Sequence, residues 1–175
     1  GYLFSAQTAD CDCATDFDGA KPEVVVTDAD IDGFTYFSSD IVWNLDGFVY
    51  VEDGDTLMIE PGTIVKGNPG QAENATALIV ARGGRILAIG DECCPIIFTS
   101  IDDIVDDPND IPFSDLGRGL WGGVILLGYA VLPGTDLTAV PQVIREGQIE
   151  GIPETEARGA YGGTDDEDNS GVLRY

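Results

Sequence analysis

Histidine is absent from this chain of 175 residues, methionine occurs once, and lysine and arginine together number only eight. The missing imidazole excludes Ser-His-Asp and Cys-His nucleophile systems, His-ligated zinc or iron, and a side chain that titrates near neutrality. The two Lys and six Arg lie scattered along the chain, which disfavours nucleic acid and anionic membrane surfaces as partners, because both need a cationic face that displaces counterions. No apolar run approaches the roughly 20 residues needed to span a bilayer, so membrane insertion is not expected. Helical periodicity is missing too, with no window of about 11 residues or more carrying apolar positions at i, i+3, i+4 and i+7. What remains is chemistry by carboxylates, Arg, Tyr and oxygen-seeking cations.

What is present is acid. Thirty-two Asp and Glu give a formal charge of −24, yet 43% of residues are hydrophobic, so a packed core is expected and disorder is not. The length fits one domain. Residues 1–40 carry nine acidic groups against one basic, and residues 102–116 six against none. Asp outnumbers Glu by 22 to 10, in keeping with a loop-rich, helix-poor chain. Four cysteines form two tight pairs, Cys11/Cys13 and Cys93/Cys94. These spacings match neither zinc knuckles nor thioredoxin-like sites, and a bridge inside either pair would be strained. Cys11 and Cys13 are therefore expected to pair with Cys93 and Cys94, in either order, in an oxidising compartment.

Apolar clusters of about four to six residues, such as Phe48-Val49-Tyr50-Val51 and Ala77-Leu78-Ile79-Val80, recur between Gly-containing turns. Two segments superimpose at an offset of 29 residues: Val51-x-x-Gly54-x-x-Leu57-x-Ile59 and Val80-x-x-Gly83-x-x-Ile86-x-Ala88. Short strands turned by Gly at such a period predict an all-β fold, a right-handed parallel β-helix (β-solenoid) with loop excursions. An antiparallel sandwich would call for tight Asn-Gly-type hairpins, and the turns here are longer. The organisation expected is an acidic, disulfide-tied N-terminal cap over 1–40 and a solenoid over 41–175. Excursions are expected at 102–118 and 129–160, where binding surfaces of solenoids usually lie.

The wording from Trp43 onward is specific in combination. Leu45-Asp46-Gly47-Phe48-Val49-Tyr50-Val51-Glu52-Asp53-Gly54, Ile59-Glu60-Pro61-Gly62-Thr63-Ile64-Val65-Lys66-Gly67, Gly119-Leu120-Trp121-Gly122-Gly123-Val124-Ile125-Leu126-Leu127-Gly128, Glu146-Gly147-Gln148-Ile149-Glu150-Gly151-Ile152-Pro153 and Asn169-Ser170-Gly171-Val172-Leu173-Arg174-Tyr175 together resemble secreted β-helix proteins of Bacteroidota. The resemblance implies a secreted or cell-surface right-handed β-helix, distantly similar in fold to pectate lyases and adhesins, and it implies no particular reaction. Members of that group typically run on through further coils, whereas this chain stops inside a strand. The corresponding expectation is either that the chain is a piece of a longer solenoid or that it has an open solenoid end that pairs with a protein partner or a second copy.

Several constellations are candidate sites. Asp28-Ala29-Asp30-Ile31-Asp32-Gly33 has the opening of a calcium loop, but Ser39 stands where an EF-hand needs Glu. Asp165 to Gly171, with Asp166 and Asp168, is a second dense oxygen cluster, read either as a calcium site or as caps for backbone donors at a coil corner. Calcium is the expected cofactor if there is one. Trp43, Trp121, Tyr129 and Tyr161 are candidates for a sugar-stacking platform or, alternatively, for core and corner packing. A lyase-like mechanism would leave Arg118, Arg158 and Arg174 as bases. Asp55-Thr56-Leu57 resembles the O-glycosylation signal of Bacteroidota, which makes Thr56 a modification candidate, while the sequon at Asn74 reads as a chance tripeptide. The function expected is a non-enzymatic extracellular β-solenoid with a structural, adhesive or assembly role. The alternatives are a calcium-dependent carbohydrate-binding or polysaccharide-degrading module, and an exported passenger held by a secretion or surface complex.

Overall fold

The computed structural model of the protein describes residues 21–92, 94–105 and 119–174. Each apolar cluster forms a strand of a few residues, because β-branched and aromatic side chains suit a pleated surface and the intervening Gly residues turn the chain. The strands are β1 (Glu23–Val26), β2 (Phe34–Phe37), β3 (Val42–Leu45), β4 (Phe48–Val51), β5 (Thr56–Ile59), β6 (Ile64–Gly67), β7 (Ala77–Val80), β8 (Arg85–Ile89), β9 (Ile97–Ser100), β10 (Val124–Leu126), β11 (Gly147–Gln148), β12 (Ala160–Tyr161) and β13 (Gly171–Arg174). Three parallel sheets run along the stack: β1-β3-β6-β9, β4-β7-β10 and β2-β5-β8-β13. From β3 onward the chain visits them in that order on each coil, and the molecule is a right-handed parallel β-helix. Only β11 and β12 pair antiparallel among the named strands.

The 29-residue offset becomes strand register: Val51 lies beside Val80, Leu57 beside Ile86 and Ile59 beside Ala88. Gly54 and Gly83 occupy the same corner on successive coils with φ of 90° and 84°, a conformation costly for any residue bearing a Cβ. The Gly54 N–H donates to the Gly83 carbonyl across the coils (3.3 Å). The acidic composition of residues 1–40 does not mark a separate cap as far as the described residues go. β1 and β2 pair with β3 and β5, so coils begin ahead of residue 41. Of the described acids before residue 41, Asp28, Asp30, Asp32 and Asp40 sit outside the strands and only Glu23 lies on one.

The interior is filled by inward columns that include Phe37, Leu45, Val49, Val51, Leu57, Ile59, Leu78, Val80 and Ile86, with Trp43, Phe98 and Trp121 packed against them. Full burial of each such side chain contributes about 1.5–3 kcal/mol. The outer faces of the sheets differ. β6 and β7 are buried at every position, whereas β5 and β8 alternate between buried and more open positions. On β4-β7-β10 the outward Tyr50, Ala77 and Ile79 form a second apolar cluster with Leu127 and Ile152, joined by Phe48, Ile125 and Ile149. The excursion that leaves after β10 therefore folds back, and its segment 149–159, called the strap below, covers this sheet. On β2-β5-β8-β13 the outward side chains stay bare, with Phe34 66% exposed and Met58 40% exposed. At the far end of the inward column Phe37, Ile59, Ala88, Leu173, the last residue is 50% exposed.

Cys11, Cys13 and Cys93 lie outside the described residues, as do Arg118 and most of the 102–118 excursion. Cys94 is disulfide-bonded, and its backbone N–H is held by Asp91 Oδ1 (2.8 Å). No described helix is long and apolar enough to cross a membrane.

Candidate functional site

The densest polar cluster forms where the strap meets β4. A 3₁₀ turn at Asp28–Asp30 lies beside β4, and Asp28 Oδ1 accepts the Tyr50 N–H (3.0 Å). From the strap, a second 3₁₀ turn at Ala157–Gly159 presents Arg158 to the same place. Its Nε and Nη2 donate to the two oxygens of Glu156 (2.9 and 2.8 Å), a bidentate fork. Its Nη1 donates to Asp28 Oδ2 (2.8 Å) and Glu52 Oε1 (2.7 Å). The guanidinium carbon lies 4.0 Å from the Tyr50 ring centroid, a close cation–π contact. One cation thus faces three carboxylates.

The electrostatics follow from these contacts. Hydrogen bonding to Glu156, then to Asp28 and Glu52, raises the Arg158 pKa beyond its already high value against the opposing effect of burial. The same fork holds the Glu156 carboxyl below the usual carboxylate range. Burial, reinforced by Glu156, pushes the Tyr50 phenol up to about 12. Tyr50 is only 2% exposed, and its hydroxyl has no hydrogen-bond partner among the described residues. Outside the ring lies an open groove of about 410 Å³, lined by Phe48 and Tyr50 on the sheet and by strap residues that include Ile152, Pro153, Glu156 and Arg158. The Phe48 and Tyr50 rings meet edge to face at 6.4 Å.

The residues nominated from the sequence have other duties. The three carboxylates of the calcium-like loop do not converge: Asp28 serves Tyr50 and Arg158, and Asp30 Oδ2 accepts from the Thr27 N–H and hydroxyl (both 2.8 Å). Asp32 stands exposed. In the second cluster Asp166 Oδ1 takes the Val131 N–H (2.9 Å), Asp168 Oδ2 takes the Tyr129 N–H (2.8 Å), and Asn169 Oδ1 takes the Gly171 N–H (2.9 Å). These are the backbone caps that the sequence offered as the alternative reading, and they tie the start of the excursion to the last coil. No described group of three or more acids or cysteines has a metal-holding arrangement.

The four aromatic candidates do not form one platform. Trp43 stacks on Phe37 at 4.2 Å and packs against the core, and Trp121 packs over Gly67, where a Cβ would lie 2.3 Å from its ring. Tyr129 lies under Arg82 (5.1 Å to its centroid), and Tyr161 sits in the small antiparallel pair against Gly147. Arg158 is not placed to act as a base, since a base must release a proton that three carboxylates here retain. Thr56 shares the outer face of the third sheet with Phe34 and Arg85. Sequence reading overlooked Tyr50, Glu52 and Glu156. The available signal was Phe48-x-Tyr50, two aromatics on one side of a strand, matched by Ile149 and Ile152 in the excursion.

Residues 30–175 match the family described as the pectate-lyase-like β-helix domain, and the chain belongs to that family. No curated protein and no solved structure matches it.

Proposed function

We propose that the protein is a non-enzymatic β-solenoid of the cell exterior that works by association with further copies of itself. The observation that carries this reading is the outer face of β2-β5-β8-β13. Its outward positions are Phe34 and Tyr36, Thr56 and Met58, Arg85, Leu87 and Ile89, then Val172 and Arg174. None is a carboxylate and two are arginines, in a chain of charge −24. Parallel sheets normally have both faces covered, and a contiguous exposed apolar surface marks an interaction site. A copy docking here gains apolar burial and meets no carboxylate among the outward side chains of these strands.

The face is small. Four strands spaced about 4.8 Å apart, each of about four residues rising 3.3 Å, cover only a few hundred Å², against about 800 Å² per partner in a standard interface. Association of single copies is therefore weak, and it gains strength when many copies are displayed together. The disulfide at Cys94 fits an oxidising, exterior compartment.

Sedimentation equilibrium at high protein concentration in physiological salt tests the reading. Wild type should self-associate, and Met58→Glu, which places a carboxylate in the middle of the face, should be monomeric. A monomeric wild type, or a variant that associates equally, would overturn it.

A further inference from the structure

We infer that the turn-and-return segment 131–145 is a docking finger whose apolar tip binds the bare outer face of β2-β5-β8-β13 on a second copy of this chain, so that copies join head to tail. The inference rests on the self-association reading and names the partner surface within it.

The finger is held by its own backbone and one carboxylate. Asp136 and Val143 exchange both backbone hydrogen bonds (2.7 and 2.9 Å), closing an antiparallel bridge. Inside that loop Asp136 Oδ1 accepts from the Thr138 N–H (2.9 Å), the Thr138 hydroxyl (2.7 Å) and the Ala139 N–H (3.2 Å), and Gln142 Nε2 donates to the Leu137 carbonyl (2.9 Å). Below the bridge the Arg145 N–H donates to Thr135 Oγ1 (3.0 Å). At the base, Val131 bridges to Gly163 and gives its N–H to Asp166 Oδ1 (2.9 Å). What this braced turn presents to water is largely apolar. Val140 is 98% exposed, and Leu137, Val143 and Ile144 are exposed beside it in the chain. Burying such a tip needs little further ordering of the backbone, which is the advantage of a preorganised contact.

Two observations select a second copy as the occupant. Residues 131–145 hold one acid, Asp136, and one base, Arg145, so the finger brings no net charge of its own out of a chain of −24. The face it meets has Arg85 exposed and no carboxylate among its outward side chains. The second observation is that tip and face are both open in the same copy, Val140 on one and Phe34 and Met58 on the other. A finger therefore does not lie on its own face and is available to another's. A face of a few hundred Å² falls short of a standard sheet-to-sheet interface but is wide enough to seat one turn. Because tip and face are different surfaces, the contact is heterologous, and copies add on successively instead of stopping at a two-fold dimer.

The test mixes two variants, using sedimentation velocity at up to about 1 mM protein in physiological salt. Wild type should form species larger than dimers. Val140→Asp alters a side chain that the fold leaves in water, so its melting temperature should be unchanged, while its association should weaken at least about tenfold, the worth of one buried valine. Met58→Glu alone should be monomeric. Mixed in equal amounts, the two variants should form one-to-one complexes that grow no further, because Val140→Asp keeps its face and Met58→Glu keeps its finger. General charge repulsion cannot produce that rescue, since the mixture carries both added carboxylates. If wild type associates but saturates as a dimer, if Val140→Asp associates as strongly as wild type, or if the mixture stays monomeric, the finger is not the docking element. A monomeric wild type would instead remove the self-association reading, and the finger with it.

Discussion

Arg158 and Tyr50 divide the work at the strap. The ion pairs around Arg158 are partly open to water, with side-chain exposure of 29% for Arg158 and 50% for Glu52, so each is worth well under about 1 kcal/mol. Their value lies in direction: Asp28, Glu52 and Glu156 fix where the guanidinium sits, and it in turn covers the Tyr50 ring. Tyr50 is the group whose titration matters for stability. Its folded pKa is raised from the ordinary 10 to about 12, so folding favours the neutral phenol. The stability linked to it is fully present below pH 10 and is lost as pH rises towards 12. Alkaline titration followed by circular dichroism should show loss of stability across that window, reduced in Tyr50→Phe. Glu156 behaves oppositely. Its pKa is lowered, so its contribution is present above the ordinary carboxylate range and is lost as pH falls through the lowered value.

At the scale of elements, whether a strand is covered on one face or two is visible in its residues. Ala77-Leu78-Ile79-Val80 is apolar throughout because the strap closes the outer side of β7, whereas β8 alternates because its outer side is open. Ile152 is the strap residue most deeply set into the outer cluster. Ile152→Ala should cost about 2–4 kcal/mol in strap docking. Hydrogen exchange should then speed up across 149–159 and on β4 and β10, while β5 and β8 keep their protection. Uniform loss of protection in all coils would show that the strap and the solenoid unfold as one unit.

For the whole molecule, charge is the dominant imbalance. Eight basic groups can neutralise the charge of at most eight of the 32 acids, leaving an excess of 24 negative charges. General repulsion therefore outweighs the few ion pairs that salt would weaken. Raising sodium chloride from about 0.01 to 0.5 M, where the Debye length falls from about 30 Å to a few Å, should raise the melting temperature. A melt that falls with salt would mean that the Arg158 and Arg82 networks carry more of the stability than their exposure implies.

The sequence by itself determined the solenoid. Alternating apolar residues and corner glycines are local facts, and the 29-residue repeat from Val51 to Val80 and from Leu57 to Ile86 states which residues lie side by side, because stacked coils of equal length preserve register. The site could not be read in the same way. Arg158 lies 130 residues from Asp28 and 106 from Glu52, and they meet only because the excursion after β10 turns back over one particular sheet. That turn also decided that Phe48 and Tyr50 lie under the strap. Strand propensity and positive φ are settled between neighbours in the chain. Which outer faces are covered depends on the paths of segments far away in the chain, and only the tertiary structure sets those paths.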